Sequence, residues 1–131
     1  MKYPDIESKK EGGDRYMQLL TSEIREKLPG LYAQENEKDP MVYVKFFDPT
    51  GSWTWFATEG EETDNGDFLF FGLVIGFDSE LGYFTLSQLK HAKDKCIGLQ
   101  ALPIERDLYF TPCRLSEVKK QHAIEHGTQL P

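Results

Sequence analysis

Cysteine is scarce in this 131-residue chain. Cys96 and Cys113 stand in neither a C-x-x-C nor any zinc-ligand spacing, which excludes a disulfide framework and a sequence-local zinc site. The opening MKYPDIESKKEGGDRY also lacks the apolar stretch of a signal peptide, so a reducing cytosol is the expected compartment. Long apolar runs are missing too. The longest, Phe68 to Phe77 (FLFFGLVIGF), has ten residues where a membrane helix needs roughly 20, so it reads as a buried strand and no membrane span is expected. Positive charge is in deficit: 15 Lys and Arg face 22 Asp and Glu, a net charge of -7, which disfavours a direct grip on nucleic acid or anionic lipid. Nucleophile elbow, P-loop and dinucleotide fingerprint are all absent, and the three histidines (His91, His122, His126) show no evident pairing with a Ser or Cys nucleophile. Catalysis is thus unsupported by any motif, and no cofactor is expected.

The chain does have the content of one domain, with 39% hydrophobic, 13% aromatic and 28% charged residues. Residues 1–13, charged and carrying Gly12-Gly13, read as a leader, with a single domain over 14–131. Met17, Leu20, Ile24 and Leu28 fall at helical spacing, with Asp14 or Thr21 and Ser22 as N-caps and Pro29-Gly30 as the stop. The period then changes to two. Val42 to Phe47 and Trp53 to Glu59 read as a hairpin around Asp48–Ser52, a loop length that pairs Lys45 with Trp55 and puts Tyr43, Lys45, Phe47, Trp53 and Trp55 on one face. Residues 59–67 (EGEETDNGD), with five acids and no base, read as a solvated loop. The apolar strand after it carries Gly72 and Gly76, four apart, which open a groove that either a neighbouring Trp or Phe or a ligand must fill. Leu81 to Leu86 gives another strand, Ser87 to Ala92 a short helix capped by Thr85 or Ser87, Ile104 to Phe110 a fifth strand, and Leu115, Val118 and Ile124 one side of a final helix ending at Gly127. The fold class is α+β: about five mainly antiparallel strands with N-terminal and C-terminal helices packed on one face of the sheet.

Several constellations carry chemistry, each beside a plainer reading. His122-Ala123-Ile124-Glu125-His126 fits H-x-x-E-H, two imidazoles one helical turn apart, yet it also suits a polar helix end, and no metal site is assigned to it. The acids of 59–67 miss the spacing of a calcium loop. In Ile104-Glu105-Arg106-Asp107 the arginine points opposite to its flanking acids. If it points inward it requires a partner such as Glu59 or Glu80, or an anionic ligand. The hairpin aromatics with Lys45 among them form either core or a stacking site for a flat anionic ligand. Charge is uneven, with 8 bases and 17 acids in residues 1–85 but 7 bases and 5 acids in 86–131. The acidic portion suits a basic partner, or simply a solvated face.

The strings LPGLYAQE, DPMVYVKFF, WTWFATEGE, FFGLVIGFDSELGYFTLSQL and IERDLYFTP, in that order, resemble the family catalogued as domain of unknown function 2958. The resemblance runs from about Leu19 to Val118 and leaves the H-x-x-E-H match outside. It implies short cytosolic proteins carried on bacterial plasmids, integrative elements and phages, and it brings no defined activity. The polar residues within those strings are Lys45, Thr58, Glu59, Glu80, Glu105, Arg106 and Asp107.

By analogy with other small proteins of mobile elements, the expectation is a non-enzymatic counter-defence protein. A nucleotide-like ligand would lie on the sheet, held by Lys45, Glu59, Glu105, Arg106 and Asp107 and stacked on Trp53, Trp55 or Tyr83. In a variant of this reading, Glu61, Glu62 and Asp64 mask a basic groove on a host defence protein. The alternative is a hydrolase using Glu59, Glu105 or Asp107 as general acid or base. A homodimer through the aromatic face is the other use of the same pattern.

Overall fold

In a computed structural model, residues 17–127 are described; the expected leader lies outside them. Helix α1 spans Ser22–Lys27 and starts where Thr21 accepts the Ile24 amide at 3.1 Å. It is shorter than the apolar spacing predicts, because the chain caps at Thr21 and Leu19 and Leu20 are buried from the non-helical segment ahead of it. The strands are β1 (Met41–Val42), β2 (Val44–Phe47), β3 (Thr54–Glu62), β4 (Phe68–Ile75), β5 (Ser79–Thr85), β6 (Glu105–Arg106) and β7 (Cys113–Arg114). Helix α2 (Leu86–His91) opens on a capping box between Thr85 and Gln88, and α3 (Leu115–His126) closes on Gly127 in the left-handed conformation.

The main sheet is antiparallel in the order β5-β4-β3-β2-β6, and β1 pairs with β7 beside it, so the fold is α+β. The helices divide between its two faces rather than sharing one. On the front face Val44, Phe46, Trp55, Phe68, Phe70 and Phe84 pack beneath Leu19, Leu20, Leu28 and Leu89. On the back face Val42, Phe56, Leu73 and Ile75 pack beneath Leu115 and Val118 of α3. Phe46 and Phe70, fully buried and edge to face at 5.4 Å, anchor the front, each ring contributing about 1.5–3 kcal/mol by burial.

Three expectations about the strands are corrected. The hairpin register is one residue out: Lys45 pairs with Phe56 and Phe46 with Trp55, because Trp53 belongs to the turn, where its carbonyl accepts the Asp48 amide. Lys45 therefore lies on the back face and Trp55 on the front, while the break at Tyr43 lets that ring pack on the front cluster. Second, Glu59, Glu61 and Glu62 are strand residues, paired with Phe71, Leu69 and Phe68, and only 63–67 turn. The register shifts between Ala57 and Glu59, so Thr58 is an extra residue and reverses the alternation beyond it. Third, the fifth strand is Glu105–Arg106 alone, since the chain turns at Asp107, whose carboxylate takes the Tyr109 amide. Along α3, His122 rather than Ile124 continues the buried stripe, and Ile124 is exposed.

The glycine groove is closed from within the chain. A side chain at Gly76 would meet the Trp53 ring at 2.4 Å, and one at Gly72 would meet the Phe56 carbonyl oxygen at 1.8 Å.

Candidate functional site

The sheet divides the sequence-predicted residues. Trp53, Trp55 and Arg106 belong to the front face, Lys45, Glu59, Tyr83 and Glu105 to the back. Arg106 is buried and donates to the Gln18 and Leu19 carbonyls, fastening the segment ahead of α1 to β6. Lys45 and Arg106 thus cannot meet one ligand, and Trp55 is buried in the front core while Trp53, partly exposed, tilts against it with ring centres 6.0 Å apart.

Glu59 is 4% exposed, and its two carboxylate oxygens accept the Tyr32 amide at 2.8 Å and the Gln34 amide at 2.9 Å. Glu61 accepts the Leu31 amide, and the Gln34 side chain bonds Met41 and Thr58. These carboxylates thus organise the 30–34 loop. Tyr32, in that loop, has φ +72. Glu62 lies 3.7 Å from Arg25, an exposed pair, while Asp64 sits in the exposed turn.

Lys45 and Asp107 do meet. The Lys45 ammonium is 3.4 Å from Asp107 and 4.0 Å from Glu125, and it lies 5.8 Å from the centre of the Phe56 ring. The β2 alternation sends Lys45 to the back face, and the turn after β6 brings Asp107 beside it. Helix α3, aligned when Asp39 takes both the amide and the hydroxyl of Ser116, carries Glu125 over the top. These three groups and Phe56, Tyr109, Phe110, Thr111, Cys113, Gln121 and His122 line a cleft of about 370 Å³. Tyr109, 94% exposed, stands on its rim.

His122 is the residue at this cleft whose role the sequence reading missed. It is 6% exposed, edge-on to Phe56 and stacked on His126 at 4.1 Å, and its Nδ1 is buried without a hydrogen-bond partner. Burial holds its pKa below the ordinary 6.5, with the positive charge near His126 and Lys45 acting the same way and Glu125 opposing. The imidazole is thus neutral at pH 7, and its Nδ1 is a buried polar atom that no other protein group satisfies. The spacing 115, 118, 122 is a buried helical stripe, a signal the sequence did contain.

The cleft holds one ammonium against two carboxylates, so it does not attract phosphate as an isolated lysine would. It offers aromatic walls, carboxylate acceptors and a neutral imidazole. Cys113 is not an activated nucleophile, since burial and Glu117 hold its thiol above the ordinary value. No group of three His, Cys, Asp or Glu side chains among the described residues could hold a metal ion. A second cleft, of about 310 Å³, lies across the 107–112 segment, between Ile24, Tyr43, Arg106 and Leu108. No helix among the described residues is long and apolar enough to cross a membrane.

The family model described as protein of unknown function (DUF2958) matches residues 19–128, and the chain belongs to that family. The match extends past Val118, so it includes His122, Glu125 and His126, which the sequence reading had left outside. No curated protein and no solved structure matches the chain.

Proposed function

From its place in this family and the chemistry of the cleft beneath α3, we propose that the chain is a binding protein that captures a small, flat, nucleotide-like molecule. The base end would enter between Phe56, Phe110 and Tyr109, and its amino and imino donors would meet Asp107, Glu125 and the free nitrogen of His122. Any phosphate would stay outside the carboxylate pair. The observation that carries this reading is the orphaned Nδ1 of His122, because a buried polar atom without a partner costs about 1–3 kcal/mol unless a ligand or water completes it. In the mobile-element setting implied by the resemblance, such capture would withhold a nucleotide signal from a host defence.

The hydrolase alternative has weaker support. Glu59 is engaged by two amides, and Asp107 by Lys45. Glu59 and Glu105 stand near opposite ends of the sheet, since Glu105 pairs through Phe47 to Thr54, five residues before Glu59, roughly 15 Å along the strand. That is too far for an acid and base working on one bond.

Native mass spectrometry of protein purified from a bacterial host, followed by heat release, tests the capture reading without assuming a ligand. A stoichiometric nucleoside-type or nucleotide-type mass, lost in Tyr109→Ala and His122→Leu variants that stay folded, is expected. If the protein carries no such mass and its melting temperature is unmoved by a panel of nucleobases, nucleosides and nucleotides, small-molecule capture is wrong.

A further inference from the structure

On the same back face, away from α3, two tyrosines are presented in an unusual way. Tyr32 is 63% exposed yet held at φ +72, a left-handed conformation that costs a side-chain-bearing residue free energy. Three charge-assisted bonds keep it there: the Tyr32 and Gln34 amides donate to Glu59 and the Leu31 amide to Glu61. A buried carboxylate is rare in a small domain, and this one serves only to fix an exposed loop. As a result the Tyr32 hydroxyl sits 3.4 Å from that of Tyr83, which is half exposed and leans on Phe71 with ring centres 4.9 Å apart. Leu81, 55% exposed, continues the surface along β5.

The surroundings are acidic. Residues 29–39 and 59–67, which meet at this loop, hold eight acids and one base. Arg25 and Arg114 offset two of the eight at 3.7 and 4.0 Å. The Tyr83 hydroxyl is held above its ordinary pKa, first by its bond to Tyr32 and also by the charges of Glu59 and Glu35, so a negative field reaches the rings.

We propose that Tyr32 and Tyr83, with the acidic rim of Glu35 and Glu61 above the buried Glu59, form a docking surface for a basic protein segment whose arginine side chains lie across the two rings. Rigid, exposed aromatic faces inside a negative field are what a guanidinium recognises by stacking and cation–π attraction, and the same field repels nucleic acid. The loop is fixed in advance, so docking does not have to order it.

A fluorescent nona-arginine peptide is the probe, with affinity read by anisotropy and the contact mapped by backbone amide chemical shifts of the full chain. Shifts concentrated at residues 31–35 and 81–84 are expected. Binding should fall about five- to tenfold in Tyr32→Ala/Tyr83→Ala and recover partly in Tyr32→Phe/Tyr83→Phe, which keeps the rings. Glu23→Gln, at an acid away from the loop, should leave binding unchanged. The amide spectrum of each variant reports its folding, and the map on the unaltered protein needs no variant. No measurable binding, shifts spread evenly over all acidic surfaces, or equal affinity for the double alanine variant would each overturn the proposal.

Discussion

The Glu59 carboxylate lies 2.8 Å from the amide nitrogen of Tyr32, and that bond couples a buried strand residue to the one non-glycine left-handed residue among those described. Glu59→Gln keeps the shape but replaces one acceptor oxygen with a donor that faces an amide, so it should cost about 2 kcal/mol. Glu59→Ala should cost more. At position 32, glycine should be better tolerated than alanine by about 1 kcal/mol, because only glycine adopts this φ without steric penalty. Urea unfolding midpoints for the four variants test the ordering, and an alanine more stable than glycine at 32 would show that the loop relaxes out of the left-handed state.

Protonation of His122 should weaken the fold. Its folded-state pKa lies below the unfolded value near 6.5, so the unfolded chain binds the proton first and stability declines as pH falls below about 6.5, until the folded form is also protonated. His122→Leu removes both the titration and the orphaned nitrogen. It should flatten the stability profile between about pH 5 and 7 and leave the protein at least as stable at pH 7. A profile equally steep in the variant would move the effect to another histidine.

The glycines of β4 and β5 should separate sharply. Gly72→Ala drives a methyl into the Phe56 carbonyl at 1.8 Å, a backbone atom that cannot step aside, and should cost about 3 kcal/mol or more, at or above the upper end of ordinary overpacking penalties. Gly82→Ala meets nothing within 4 Å and should be neutral or stabilising by up to about 1 kcal/mol. Thermal denaturation of the pair checks this, and equal destabilisation would mean that β4 and β3 are further apart than described.

Lys93 and Asp48 form the tightest of the described ion pairs, 2.6 Å apart and 11% and 14% exposed, with Thr50 and the Leu102 carbonyl completing the ammonium. Burial opposes the charge on Asp48, but its bonds to Lys93 and Thr50 prevail and hold its pKa below 3.8. Its contribution is therefore present above about pH 4 and is lost as pH falls through the lower folded value. Lys93→Met strands the carboxylate and should cost about 3 kcal/mol, whereas the double change with Asp48→Leu should recover part of that. Chemical denaturation in a double-mutant cycle is the measurement, and additive losses would deny the coupling.

How far the sequence exposed this molecule varies along the chain. The meander, the Thr85 cap and the Gly127 stop were legible because each rests on local chemistry, a period of two, a capping side chain or a glycine past a helix. The hairpin register was not, since it turns on whether Trp53 opens the strand or closes the turn, and composition favours a strand at Trp. The acidic run 59–62 looked like loop because nothing in its neighbourhood announces that amides 25 to 30 residues upstream will satisfy those carboxylates. Lys45 and Asp107 were both singled out, but their meeting depends on a chain reversal after β6. His122 appeared only as a metal candidate, although its spacing from Leu115 and Val118 already marked it as buried.

Thr58 makes the two ends of β3 obey opposite reading frames. Before it, odd-numbered side chains face Phe46 and Phe70; after it, odd-numbered side chains face α3's side of the sheet, which is how Glu59 and Glu61 reach the loop instead of the aromatic core. Were Thr58 instead to enter the ladder as an ordinary strand residue, every later pairing would slip by one, like a frameshift written in space. Glu59 and Glu61 would be delivered among Phe68 and Phe70 and the far end of β3 would have its inside and outside exchanged, whereas deleting Thr58 would leave Glu59 opposite Phe71.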